Sequence, residues 1–265
     1  MAAVKEIYQL IDNFAPFETQ MDFDNAGFLV GRGDSAVERV LVALDITKVV
    51  VEEAVRRGCQ LIVSHHPVLF GGVKSVTDET VTGRVLLALA ENGLSAICAH
   101  TNLDAAEGGV NDCLAQRLGL TDTVLLEQDG TDRRGRAYGI GRIGQAHRTG
   151  LSGAEYAAYV KEKLGARSVR FEDAGIPVSR VAVGGGSCGS MLEQVRAADC
   201  DTFVTADVKY DVFLSARAMG INLIDAGHYA TENVVCPALV KLIAQAFPQV
   251  EVLLSADHRE VYRDV

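Results

Sequence analysis

The chain predicts a layered α/β protein of two lobes with mostly parallel sheets, and three observations carry that expectation. Short β-branched runs alternate with helix-period segments along nearly all of its 265 residues. Gly58, Gly93, Gly119, Gly165 and Gly220 each stand just past a helical segment, where a left-handed capping residue is needed. Polar and metal-ligating side chains gather at the carboxyl ends of the apolar runs, where α/β folds collect functional groups from distant parts of the sequence.

Residues 1–17 open with an amphipathic helix pattern of Ile7, Leu10, Ile11 and Phe14. The opening motif 22–31 is either a turn leading into a strand or the wall of a site near Asn25. Strands follow from the apolar runs at 39–45, 60–64, 94–99, 137–143, 179–183, 201–205, 221–225 and 250–254. Helices follow from 3.6-period patterns at 48–57, 81–92, 109–118, 153–164, 190–198, 210–219 and 231–247. Between 128 and 136, charges and turn formers displace the apolar pattern, so the lobes are expected at 1–127 and 128–265, facing one another across a cleft.

A hydrophobic fraction of 48%, a mean hydropathy of +0.15 and only 5 prolines predict order throughout. No apolar stretch approaches the length of a membrane-spanning helix, and the first helix lacks a signal peptide's apolar block; a soluble cytoplasmic protein is expected, with no membrane partner. The net charge of −10 argues against general nucleic-acid binding but is compatible with a nucleotide substrate. Residues 133–180 hold 10 basic and 4 acidic side chains, either a solvated face or a surface for a triphosphate or another subunit. Six cysteines without CxxC spacing are expected as reduced core thiols, Cys98 included although it lies two residues before His100.

His65 and His66 end the run Leu61-Ile62-Val63-Ser64 and precede Pro67. Adjacent strand residues point to opposite faces, so this pair cannot chelate one ion on a straight strand; at a turning strand end it can serve two metals, or it is a pair of loop histidines. In Ala99-His100-Thr101-Asn102-Leu103-Asp104, Asp104 is a helix cap or, with histidines elsewhere needing a carboxylate, a ligand, while His100 suits a catalytic or supporting role. His228 and Glu232 lie four apart and share a helix face, as a metal-binding pair or as an ordinary polar pair. Asp45, Asp207 and Asp225 also end apolar runs. The glycine run Gly184-Gly185-Gly186-Ser187 either cradles a phosphate through backbone N–H groups or makes a tight turn.

Six ordered motifs then resemble one family over essentially the full chain: residues 24–31, Ser64-His65-His66-Pro67, residues 99–104, residues 184–187, Asp207-Val208-Lys209-Tyr210, and residues 225–232. They are similar to the dinuclear-metal-centre hexameric proteins, also known as interacting-factor-three-like proteins or GTP cyclohydrolase I type 2 homologues. The resemblance implies two divalent ions per subunit, zinc or iron first and manganese next, held by His65, His66, Asp104, His228 and Glu232 with Glu232 bridging. It implies a ring-shaped homo-hexamer with sites facing an internal cavity. His100 is then a catalytic proton carrier, and Asn25, Asp45, Asp207, Lys209 and Tyr210 support the ligands or meet substrate. The chain departs from the family pattern at Ala206, where glycine is usual, and at Asp211, where histidine is frequent.

Metal-dependent hydrolysis is the chemistry this donor set suggests, and the family name points to ring-opening hydrolysis of GTP. A non-enzymatic metal-storage or metal-insertion factor would use the same ligands, as would a two-metal phosphoesterase.

Overall fold

Two β-sheets, each flanked by helices, organise the computed structural model, which describes residues 1–263 and 265. The chain divides into two compact units, 1–103 with 236–259, and 104–235 with 260–265. This partition departs from the expected lobes at 1–127 and 128–265. The polar segment that suggested a boundary is a hairpin, Gly130–Thr131 paired with Ala137–Tyr138, inside the second unit. Strand Thr121–Leu125 pairs with Arg142–Gln145 across that segment, so hydrogen bonding ties its two flanks into one sheet. Asp104 accordingly falls in the second unit and not with His65 and His66.

In the first unit a five-stranded sheet runs in the order Glu251–Leu254, Arg39–Ala43, Leu61–Ser64, Ser95–Cys98, Gly27–Val30. All its pairings are parallel except the last. The central strands are buried on both faces, which is why they read as continuous apolar runs. Leu41, Ala43, Ile62, Ala96 and Cys98 face helices Lys48–Arg56 and Val81–Glu91 through Val50, Ala54, Val85 and Leu89. Both helices begin on a threonine cap, Thr47 accepting from Val50 N–H and Thr80 from Gly83 N–H.

In the second unit a six-stranded sheet has three parallel central strands, Arg180–Val183, Thr202–Thr205 and Asn222–Asp225. Its flanking strands, Arg170–Glu172 on one side and Arg142–Gln145 on the other, are antiparallel to their neighbours. Alternation separates two cores: Val181, Val183, Val204 and Ile224 pack with Leu114, Tyr156 and Val160, whereas Ala182, Phe203 and Leu223 pack with Leu192, Val195 and Ala216. Helix Gly153–Leu164 matches its expected span because both ends are encoded locally. Ser152 and Glu155 form a reciprocal capping box, and Gly165 closes it at φ 65°. The expected strand over 137–143 is instead two short strands, since Gly141 at φ 79° turns the chain between them. The helix expected at 231–247 is a short helix His228–Glu232, a 3₁₀ turn and a second helix Cys236–Ala246. Among the described residues no helix is long and apolar enough to cross a membrane.

Candidate metal centre

In the first unit the strand Leu61–Ser64 ends directly at His65 and His66, and the strand Ser95–Cys98 ends two residues before His100. Parallel pairing of these strands, with Ser64 opposite Cys98, places the three imidazoles at one sheet end. Ring centroids lie 4.9 Å apart for His65 and His66, 5.2 Å for His65 and His100, and 5.5 Å for His66 and His100. One ring nitrogen from each falls within 4.8 Å of the others, close enough to hold an ion.

Each imidazole is oriented from behind through Nδ1. His65 Nδ1 donates to the Ala99 carbonyl at 2.8 Å. His66 Nδ1 donates to Asp45 Oδ1 at 2.7 Å, and His100 Nδ1 to Asp24 Oδ1 at 2.8 Å. A neutral imidazole that donates from Nδ1 carries its lone pair on Nε2, so these acceptors fix the tautomer a metal ligand or a base requires. Burial pushes the Asp24 carboxyl upward, but hydrogen bonds from His100 and Thr101 outweigh it and hold Asp24 well below the usual carboxylate range. Asp45 is lowered in the same way, its desolvation overcome by His258 and His66.

In the second unit the parallel strands Thr202–Thr205 and Asn222–Asp225 run toward Asp207 and His228. His228 Nδ1 donates to Asp207 Oδ2 at 2.7 Å, and Ser187 Oγ donates to the same oxygen at 2.7 Å. Desolvation raises the Asp207 carboxyl, and these two hydrogen bonds more than reverse it. Asp207 takes a left-handed backbone, φ 50°, a conformation unusual outside glycine that turns its carboxylate back on His228. The helix His228–Glu232 brings His228 Nε2 to 2.9 Å from Glu232 Oε2, on the shared face its i,i+4 spacing predicts. Glu232 is buried, and its carboxylate and that of Asp104 offer oxygens within 4.8 Å of one another. Arg142 holds the segment after Asp104: it is buried, contacts both Asp112 oxygens at 2.7 and 3.1 Å, and donates to the Ala106 carbonyl.

The glycine run is a turn. Gly184 N–H donates to the Val204 carbonyl, Gly185 N–H to Asn111 Oδ1 and Gly186 N–H to Thr231 Oγ1, so the groups a phosphate would need already have partners inside the unit. Three arginines of the arginine-rich middle are ion-paired within the second unit. Arg142 pairs with Asp112, Arg170 with Asp225 and Arg136 with Asp132.

Asn25 donates its side-chain amide to the Leu69 carbonyl at 2.6 Å, fixing the loop after His66. Lys209 and Tyr210 are exposed at the start of helix Tyr210–Met219, and Asp211 is exposed in its first turn. Ala206 is buried, with its N–H on the Gly186 carbonyl at 2.9 Å. Cys98 is a core thiol, raised by burial to about 11. Two residues had no candidate role in the sequence, Asp24 behind His100 and His258 behind Asp45, the latter with Nε2 at 2.8 Å from Asp45 Oδ2. Asp24 stood inside a polar turn motif that reads equally well as loop chemistry. His258, in Ser255-Ala256-Asp257-His258, belongs to no periodic pattern that would mark it.

A Streptomyces coelicolor protein named GTP cyclohydrolase 1 type 2 homolog is 39% identical over 236 residues, covering 88% of this chain and 82% of its own. A Clostridium acetobutylicum protein of the same name is 32% identical over 230 residues, covering 86% and 85%. The crystal structure of the Staphylococcus aureus hypothetical protein SA1388 superposes with a TM-score of 0.92 at 29% identity, covering 99% of both chains. The family described as Duf34/NIF3 (NGG1p interacting factor 3) matches residues 2–260, and this chain belongs to it.

Proposed function

We propose that the chain is a divalent-metal-dependent hydrolase whose centre takes two ions, with His65, His66, Asp104, His228 and Glu232 as ligands and Glu232 shared by both. The observation that carries this reading is the common orientation of the histidines. His65, His66 and His228 each anchor Nδ1 on an oxygen acceptor, at 2.7 to 2.8 Å, as metal-ligating histidines do. A mixed imidazole and carboxylate set suits zinc and iron, with manganese next. Two such cations, when bound, supply Lewis-acid charge and lower the pKa of water toward neutrality.

The protein's own contribution is orientation and proton handling. Asp45 and Asp207 fix the rings of His66 and His228. His100, with Nδ1 on Asp24, presents Nε2 as the atom that takes up and returns a proton. Lys209 and Tyr210, exposed beside Asp207, are the proposed substrate contacts. The names of the relatives make GTP the first substrate to test, and the reaction proposed for it is ring-opening hydrolysis with release of formate. A homo-hexamer whose centres open toward a shared interior is the proposed assembly.

One observation favours a second reading, a carrier that stores or delivers metal. The Gly185 and Gly186 N–H groups and the Arg142 guanidinium, which a triphosphate could have used, are engaged within the protein. Anaerobic purification with elemental analysis, followed by a screen of GTP, other nucleotides and phosphate esters, separates the readings. Two metals per subunit and formate from GTP support the hydrolase. A metal-loaded protein inert toward all of them, but passing its metal to a chelator or an apo-acceptor, supports the carrier.

A further inference from the structure

His66 is held by more than its own neighbour. Asp45 contacts two imidazoles with its two oxygens, His66 Nδ1 on Oδ1 at 2.7 Å and His258 Nε2 on Oδ2 at 2.8 Å. A carboxylate tethered at one oxygen alone can rotate about its last bonds. Tethered at both, it has one orientation, and so has the ring it supports.

His258 owes its position to a buried acid on another element. The turn after strand Glu251–Leu254 folds over Glu53, in helix Lys48–Arg56. Glu53 is 1% exposed, and its carboxylate accepts from Ser255 Oγ at 2.5 Å, Ala256 N–H at 3.0 Å and Asp257 N–H at 3.2 Å. Ser255 Oγ in turn accepts from His258 N–H at 3.1 Å. Arg57 closes on Glu53 at 2.8 Å and Arg56 on Asp257 at 2.6 Å. A carboxylate this buried, with backbone N–H groups converging on it, determines a loop conformation as a helix cap determines a helix start. The loop it determines ends on His258, itself buried.

We propose that His258 is a positioning residue for the metal centre. Delivered by the Glu53-organised loop, it locks Asp45, and through Asp45 it sets the orientation of His66 and the affinity of the ion His66 binds. The inference rests on the metal-centre reading above. His258 acts through the carboxylate between, which its Nε2 meets at 2.8 Å.

The test uses the full-length protein stripped with chelator and reloaded with cobalt. It reads cobalt dissociation constants by chelator competition, the ligand-field absorption spectrum, and the melting temperature of the stripped protein. His258→Gln places an amide N–H near the position of Nε2 and keeps the contact with Asp45, whereas His258→Asn is one methylene shorter and loses it. The expected result is cobalt binding close to wild type for His258→Gln. For His258→Asn and His258→Leu, one ion should bind about 10- to 100-fold more weakly with an altered spectrum. Should His258→Leu melt early, the Gln and Asn pair carries the comparison, since both are polar and nearly equal in size. Wild-type affinity and spectrum in His258→Asn overturn the inference alone. A wild type that binds no cobalt, or whose binding survives His66→Ala unchanged, overturns the metal-centre reading and this inference with it.

Discussion

Gly186 lies so close to Glu232 that a β-carbon added to it would stand 2.1 Å from Glu232 Oε1. Its backbone is left-handed as well, φ 65°. Two independent constraints therefore require glycine here, one conformational and one steric, and the steric one is imposed by a proposed metal ligand. The glycine run shapes the carboxylate's pocket and does not cradle an anion.

Gly186→Ala should injure metal binding more than folding. The left-handed alanine costs about 1 to 2 kcal/mol, and the methyl displaces the Glu232 carboxylate. We expect a modest fall in urea midpoint together with a loss of metal affinity of at least about tenfold, the scale of a disturbed ligand environment. Chelator competition against wild type measures the second effect. Unchanged affinity would show that Glu232 can relax without consequence, and would count against it as a ligand.

Glu232→Ala should remove both metals, because a carboxylate shared by two ions leaves each short of a ligand when it goes. Asp211→His, at an exposed position in the first turn of its helix, should leave metal content unchanged. Elemental analysis of the two variants decides. In the wild type the ions should lie about 3.5 to 4 Å apart, the separation that two-metal hydrolytic sites share, and X-ray absorption reads it. Full occupancy in Glu232→Ala would refute the shared role.

How much of this was legible in the sequence depends on the range over which each feature is encoded. Helix Gly153–Leu164 carries its own start and stop in Ser152, Glu155 and Gly165, so its span could be read directly. The His228 and Glu232 pair was legible because helical spacing converts four residues into contact. The unit boundary was not, since the pairing of Thr121–Leu125 with Arg142–Gln145 is a long-range choice that the charged hairpin between them disguises. Nor was His258, whose contact with Asp45 spans 213 residues and is arranged by Glu53, an acid whose residue type alone would place it on a helix surface. Arg142 misled in the same sense, because a buried arginine neutralised by Asp112 looks, in sequence, like one more charge available to a phosphate.

Acid should weaken the first unit through Glu53. Desolvation pushes this carboxyl up, but hydrogen bonds from Ala256, Ser255 and Arg57 outweigh it and hold it below its ordinary value of 4.5. A carboxyl lowered in the folded state contributes stability that is fully present above the unfolded value and is lost as pH falls through the folded one. Glu53→Gln should cost about 1 to 3 kcal/mol at pH 7, the usual penalty for disturbing a buried charged acceptor. That gap should narrow as pH drops below 4.5. Urea midpoints of both proteins across pH 7 to 3 test this, and a gap constant over the whole range would exclude ionised Glu53 as its source.

His100 separates catalysis from metal holding. It stands in the imidazole triplet with His65 and His66, so geometry alone allows it to be a third ligand. Its Nδ1 is backed by Asp24, whose carboxylate also accepts from Thr101 N–H at 3.0 Å, an arrangement that serves a proton carrier equally well. If it carries protons, His100→Ala should keep two metals per subunit and a hexameric mass by light scattering while GTP turnover falls about 100- to 10,000-fold, the range of general acid–base contributions. Asp24→Asn, which leaves the imidazole in place but can present an amide N–H in place of the accepting oxygen, should lower turnover by less and shift its pH profile. If His100→Ala instead loses metal in proportion to activity, the residue is a ligand and the proton must be handled elsewhere. A wild type that scatters as a monomer would remove the hexamer whatever the metal content.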